Sequence, residues 1–198
     1  MGEIRQVSER TLIANYGVVE ILNKQEICWA KRYDRESPWW IEREKEIGNH
    51  LRAARELSKA DLIEVIEWKF KDLKGRQTRV TRYAKRTDDL VLKKVTRLVF
   101  DLMDKKYDEY KLNLLCIFDG IGVAIASVIL TFYDPQNYGV FDIHVWRELF
   151  GKEPKNLFTT KNCLCLFSGL RTISKKHRLP ARIIEKALFK KNYDKGSF

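Results

Sequence analysis

The sequence predicts an all-α protein. Apolar residues recur at spacings of three and four along most of the chain, the period of a helix with one buried face. No segment keeps a period-two alternation for more than a few residues, so strands have no support. Only four prolines interrupt 198 residues, and no repeat, low-complexity stretch or long linker divides them. Roughly ten short helices account for the pattern.

Taken in order, segment 5–30 carries a mixed stripe of Leu12, Ile13, Tyr16, Val19, Ile21 and Leu22. Ser37-Pro38-Trp39-Trp40 reads as a helix start, with proline in the first turn, and 39–57 continues through Ile47, Leu51, Ala54 and Leu57. Ser58 or Asp61 caps the next helix, which carries Leu62 to Phe70. Lys74-Gly75-Arg76 breaks the pattern. Segment 76–86 is basic, with Arg76, Arg79, Arg82 and Arg86 spaced along one helical face; this is either a solvated face or a phosphate contact. Thr87-Asp88-Asp89 caps a helix from Leu90 to Met103, and Leu112 to Phe118 is the next apolar helix. Gly120-Ile121-Gly122 turns into an apolar run from Ala124 to Leu130. A loop containing Pro135 and Gly139 follows, and Asp142 stands at the N-cap of a helix over 143–150. A second basic cluster, with Arg171, Lys175, Lys176, His177, Arg178 and Arg182, occupies the tail.

The formal charge is +11, from 38 basic and 27 acidic residues. Such a surplus must sit on the surface, where it serves solubility or draws polyanions. A 44% hydrophobic share fits a folded chain with a core. No apolar run approaches the roughly 20 residues that span a bilayer, and MGEIRQVSER has no apolar signal region. The expectation is a monomeric intracellular protein of the cytoplasm or nucleoid, outside any membrane. Cys28, Cys116, Cys163 and Cys165 lack metal-site spacing, so no metal or other cofactor is expected.

Residues 118–147 concentrate the chemistry. Gly120 and Gly122 allow a sharp reversal and close approach of another backbone. The N–H groups of Gly122, Val123 and Ala124 open a helix, and a helix N-terminus favours an anion. Short G-x-G strings also make ordinary interhelical turns. Asp142 is a favoured N-cap residue, which needs no further role, unless its carboxylate also faces a cleft.

Phe118, Gly120, Ile121, Gly122 and Ala126, followed by Asp142, His144, Val145 and Arg147, resemble the signature of the helix-hairpin-helix superfamily of base-excision DNA glycosylases, which includes endonuclease III, the adenine glycosylase and the alkylbase glycosylases. The match covers about thirty residues directly. It implies a two-lobed helical fold: residues 58–130 as a central lobe that includes the hairpin, 1–57 and 131–198 combined as the second lobe, together one unit over 1–198. It further implies that the hairpin, Gly120 to Ala124, holds a phosphate of double-stranded DNA, often with a monovalent cation beside it. A damaged or mispaired base flips into a pocket between the lobes. The family acid falls on Asp142, which stabilises the charge that develops on the sugar. His144 orders the site, touches DNA or is a structural imidazole; Arg147 reaches a phosphate or pairs with an acid.

Three departures from the family matter. Endonuclease III relatives often have four cysteines after the catalytic helix; Cys163 and Cys165 do not reproduce that spacing, so no iron–sulfur centre is expected. Bifunctional members carry a lysine at the position of Ala124, so hydrolysis without strand cleavage is implied, unless Lys69, Lys106 or Lys111 substitutes. Asp119 stands where the family has proline. Trp39, Trp40 and Trp68 are the large aromatics available to stack on a flipped base or wedge the duplex, or else pack in the core, and Gln77 is of a type that reads base edges. A non-catalytic DNA-binding protein that keeps only the hairpin grip is the other class of reading. The lesion is not encoded in any of these motifs.

Overall fold

The structure is a computed structural model that describes residues 27–196 except Met103. The described residues form ten α-helices and no strand. They are α1 (Cys28–Glu36), α2 (Pro38–Ala54), α3 (Lys59–Phe70), α4 (Lys74–Ala84) and α5 (Asp89–Asp101), then α6 (Asp108–Leu115), α7 (Val123–Tyr133), α8 (Ile143–Phe150), α9 (Thr160–His177) and α10 (Ala181–Lys195). Most of the stripe expected over 5–30 lies outside the described residues.

Local chemistry explains most boundaries. Ser58 Oγ accepts from Asp61 N at 3.1 Å while Asp61 Oδ2 accepts from Ser58 N at 2.8 Å, a reciprocal box that starts α3. Asp88 accepts from Val91 N and starts α5. Two boundaries differ from the sequence expectation. Gly75 lies inside the first turn of α4, and the break falls at residues 71–73, where Leu73 N donates to Phe70 O. Glycine is tolerated there because first-turn N–H groups have no intrahelical acceptor in any case. The helix expected over 112–118 is α6, which starts at Asp108 and ends at Leu115; Asp108 and Glu109 suit its positive end, a signal that apolar spacing does not carry.

The core gathers around α7, buried from Ile125 to Phe132. α2 crosses it closely at Gly48, where an added Cβ would stand 2.9 Å from Phe132 O. α10 packs on α1, α8 and α9, and α3 packs on α4 and α7. Cys163 and Cys165 are core side chains of α9, and burial raises both thiols. A buried ionic cluster ties α6 to α9: Asp108 accepts from Lys111 Nζ (3.1 Å), Tyr138 Oη (2.6 Å) and Arg171 Nη1 (2.7 Å). No helix among the described residues is long and apolar enough to cross a membrane.

Candidate active site

The bend between α6 and α7 divides its work between two glycines. Gly120 has φ of +90°, where side chains are strained, and a Cβ there would sit 3.1 Å from Val80 O and 3.3 Å from Ala84 N of α4. Gly122 is different: its φ of −86° suits any residue, and nothing lies within 4 Å of a built Cβ. Among the described residues, nothing demands glycine at 122. Gly122 is the N-cap of α7 and no side chain caps it, leaving the first-turn N–H groups facing outward at the positive end of an 11-residue helix. Ile121 is held within the bend. Its side chain is buried and its N–H donates to Phe118 O at 3.0 Å. Asp119 is exposed and is the one carboxylate in the bend.

Asp142 is both a cap and a wall of a cavity. Oδ1 accepts from His144 N at 3.1 Å and starts α8, while Oδ2 accepts from Lys69 Nζ at 2.9 Å. The two side chains are 21% and 12% exposed. Desolvation pushes the Asp142 carboxyl upward, but the Lys69 charge and its hydrogen bond, with the His144 N–H, outweigh that and hold it below the ordinary carboxylate range. The cavity, about 380 Å³, brings Asp142 and Lys69 together with Tyr33, Trp40, Trp68 and Phe189. That size falls within the about 300–1,000 Å³ typical of small-molecule sites.

Asp142 lies near the hairpin end of α7. Phe141 N donates to Ser127 Oγ at 2.8 Å, and the same hydroxyl donates to Ala124 O at 2.7 Å. Ser127 is five residues past Gly122, about 7 Å along a helix axis. The small side chains of Ala124, Ala126 and Ser127 admit the returning strand; Ser127 was not singled out in the sequence because a serine among apolar residues has no signature.

The cavity floor is ionic. The Arg182 guanidinium donates to both oxygens of Glu44, at 2.9 and 2.6 Å, and to Glu185. Burial raises Glu44, and the Arg182 charge overrides it and holds that carboxyl low. No family model, curated protein or solved structure matches the chain.

The remaining expected residues divide by place. Trp40 and Trp68 line the cavity and lock each other, Trp68 Nε1 to Trp40 O at 2.8 Å and Trp40 Nε1 to Trp68 O at 3.2 Å. Trp39 lies behind them, under the Lys71 ammonium, 3.7 Å from its ring centre. Gln77 is outside the cavity, on a separate face of α4. His144 Nδ1 pairs with Asn192 Oδ1 at 2.9 Å, and its ring packs on Phe189 and Tyr193, so the fold holds it. Arg147 forms a two-pronged pair with Glu153, at 3.0 and 2.6 Å. Of the three lysines considered as substitutes at Ala124, Lys111 is buried in the Asp108 cluster, Lys106 is exposed beside Asp104, and Lys69 alone touches Asp142. Sequence reasoning missed Tyr33, Phe189 and Leu73, the last 53% exposed at the cavity's edge, and named Arg182 only as part of the basic tail cluster, not as an ion-paired residue of the cavity floor.

Proposed function

We propose that this protein is a DNA glycosylase that removes a damaged or mispaired base. The reading rests above all on one observation: the Asp142 carboxylate faces a cavity lined by Trp40, Trp68 and Phe189, while its chain neighbour Phe141 is tied to the hairpin helix at Ser127. A duplex held at the N–H groups of α7 delivers a flipped nucleotide to that cavity, and base faces stack on aromatic walls. The C1′–N bond breaks and its electron pair leaves with the base nitrogen, which takes up a proton. The sugar becomes positively charged, and the Asp142 anion, partly shielded from water, stabilises it. Water then adds to C1′ and loses its proton. The test is release of free base from duplexes carrying uracil, hypoxanthine, 8-oxoguanine, alkylpurines or a mismatch. Release from none of them removes the reading and favours a binding protein, for which the Asp142 cap suffices.

The Lys69–Asp142 contact favours a second reading, a strand-cleaving lyase. Lys69 Nζ, after passing a proton to the carboxylate 2.9 Å away, attacks C1′ as the C1′–N bond to the base breaks and its electron pair leaves with the base. The C1′–O4′ bond then opens, O4′ takes up a proton, and the imine left at C1′ is the species borohydride reduces. Borohydride is expected to trap a covalent protein–DNA adduct with the wild type and none with Lys69→Gln. Base release without any trapped adduct assigns the reaction to water and leaves Lys69 as the ion partner of Asp142.

Gly122→Ala separates the grip from the fold. With open space around the new methyl group and an ordinary φ, thermal unfolding is expected within a few degrees of wild type, because the smaller unfolded-state entropy of alanine opposes its weaker capping of α7. Duplex affinity is expected to fall about ten-fold, as the methyl group enters the space a phosphate backbone occupies. Unchanged affinity by fluorescence anisotropy places the anchor elsewhere.

A further inference from the structure

The surface of α4 is densely basic. From Leu73 to Thr87 the chain has no acid, and it carries Lys74, Arg76, Arg79, Arg82, Lys85 and Arg86. All six are exposed, and none is in an ion pair among the described residues. Several surface cations elsewhere do pair with carboxylates: Lys93 with Asp89, Arg97 with Glu56, Arg43 with Glu46 and Arg147 with Glu153. Two guanidiniums of this stretch rest over rings, Arg76 over Phe70 and Arg86, just past the helix, over Tyr83, which leaves them unneutralised.

The helix also has a particular place. Leu73, just before it, lines the edge of the Asp142 cavity. Val80, Tyr83 and Ala84, towards its other end, are the residues that Gly120 of the bend packs against. Eleven residues of helix span about 16 Å. Between these ends lies a shallow depression of about 460 Å³, lined by Lys74, Gln77, Thr78, Thr81, Arg82 and Lys85. Cations, hydroxyls and an amide together are the donor set that holds phosphate oxygens.

We infer that α4 is a second phosphate-binding surface for duplex DNA, which carries one strand from the hairpin to the mouth of the cavity. The inference rests on the glycosylase reading. It adds to that reading the track by which the backbone crosses from anchor to pocket. At 3.4 Å of rise along the duplex axis per phosphate of one strand, about 16 Å of α4 is an upper bound of about five phosphates, reached only where the helix lies parallel to that axis. It also gives Gln77 a place on the backbone track rather than in a base pocket.

The test is duplex affinity by fluorescence anisotropy across a salt series, with the full chain. One variant combines Lys74→Gln, Arg82→Gln and Lys85→Gln. The control combines Lys94→Gln, Lys175→Gln and Lys176→Gln, which removes the same charge from exposed positions elsewhere. The α4 variant is expected to flatten the dependence of log K on log salt by about two to three units, and to weaken binding about a hundred-fold near 0.1 M salt. The control is expected to move the slope by less than about one unit. Arg82→Gln alone reads the same effect at about a third of the size, which keeps the test sound should the triple variant melt early. Base release by the wild type, with the α4 variant binding like the control, overturns this surface and leaves the glycosylase reading. The flattened slope with no base release by the wild type does the reverse.

Discussion

Asp142→Asn is expected to slow base release by at least about 10²–10³-fold, the usual loss when a preorganised electrostatic contact to developing charge is removed. The fold should survive. Asparagine caps a helix as well as aspartate, so α8 keeps its start. Yet an amide has one oxygen where the carboxylate uses two, Oδ1 for His144 N and Oδ2 for Lys69. One of these donors loses its partner, at a cost of about 1–3 kcal/mol. The variant should therefore melt a few degrees early, keep duplex affinity and lose chemistry, a combination read by melting, anisotropy and a single-turnover assay. Base release at the wild-type rate would show that the reaction does not use this carboxylate. The pH dependence has a definite sign. Asp142 is held below the ordinary carboxylate range, so the pair's contribution to stability is present above about pH 3.9, the value for a free aspartate. It is lost only as pH falls through the lower folded value.

Asp108→Ala is expected to be the most destabilising single change outside the cavity. Asp108 is 2% exposed, and Lys111 and Arg171, both also buried, donate to it. Removing the carboxylate leaves two buried cations without that anion, a situation that costs about 3–5 kcal/mol. For a chain of this size that corresponds to a melting temperature lower by about 6–20 °C. The triple replacement Asp108→Leu with Lys111→Met and Arg171→Met removes the cations together with the anion and should recover most of the loss. A single Asp108→Ala variant that melts within a degree of wild type would mean that water or neighbouring groups already satisfy both cations.

The helix over 143–150 and its Asp142 cap were legible in the sequence, as was the reversal at Gly120. Each rests on backbone hydrogen bonds or dihedral angles that span about four residues, so residue type and spacing carry the signal. The break near Lys74 was legible to within three residues. The start of α6 was not, because its signal is charge at a helix end rather than apolar spacing. Trp40 and Trp68 were named as aromatics for want of others, and only packing shows that they, and not Gln77, line the cavity.

By itself the sequence determined the all-helical character, the surplus of positive charge and the bend that opens α7. Only the tertiary structure decided which lysine meets Asp142. Lys69, Lys106 and Lys111 are equivalent as residue types. Lys69 reaches the carboxylate across 73 positions because α3 and the start of α8 meet at one cavity wall. Such a meeting is set by how buried faces fill space between helices, and no local pattern records it.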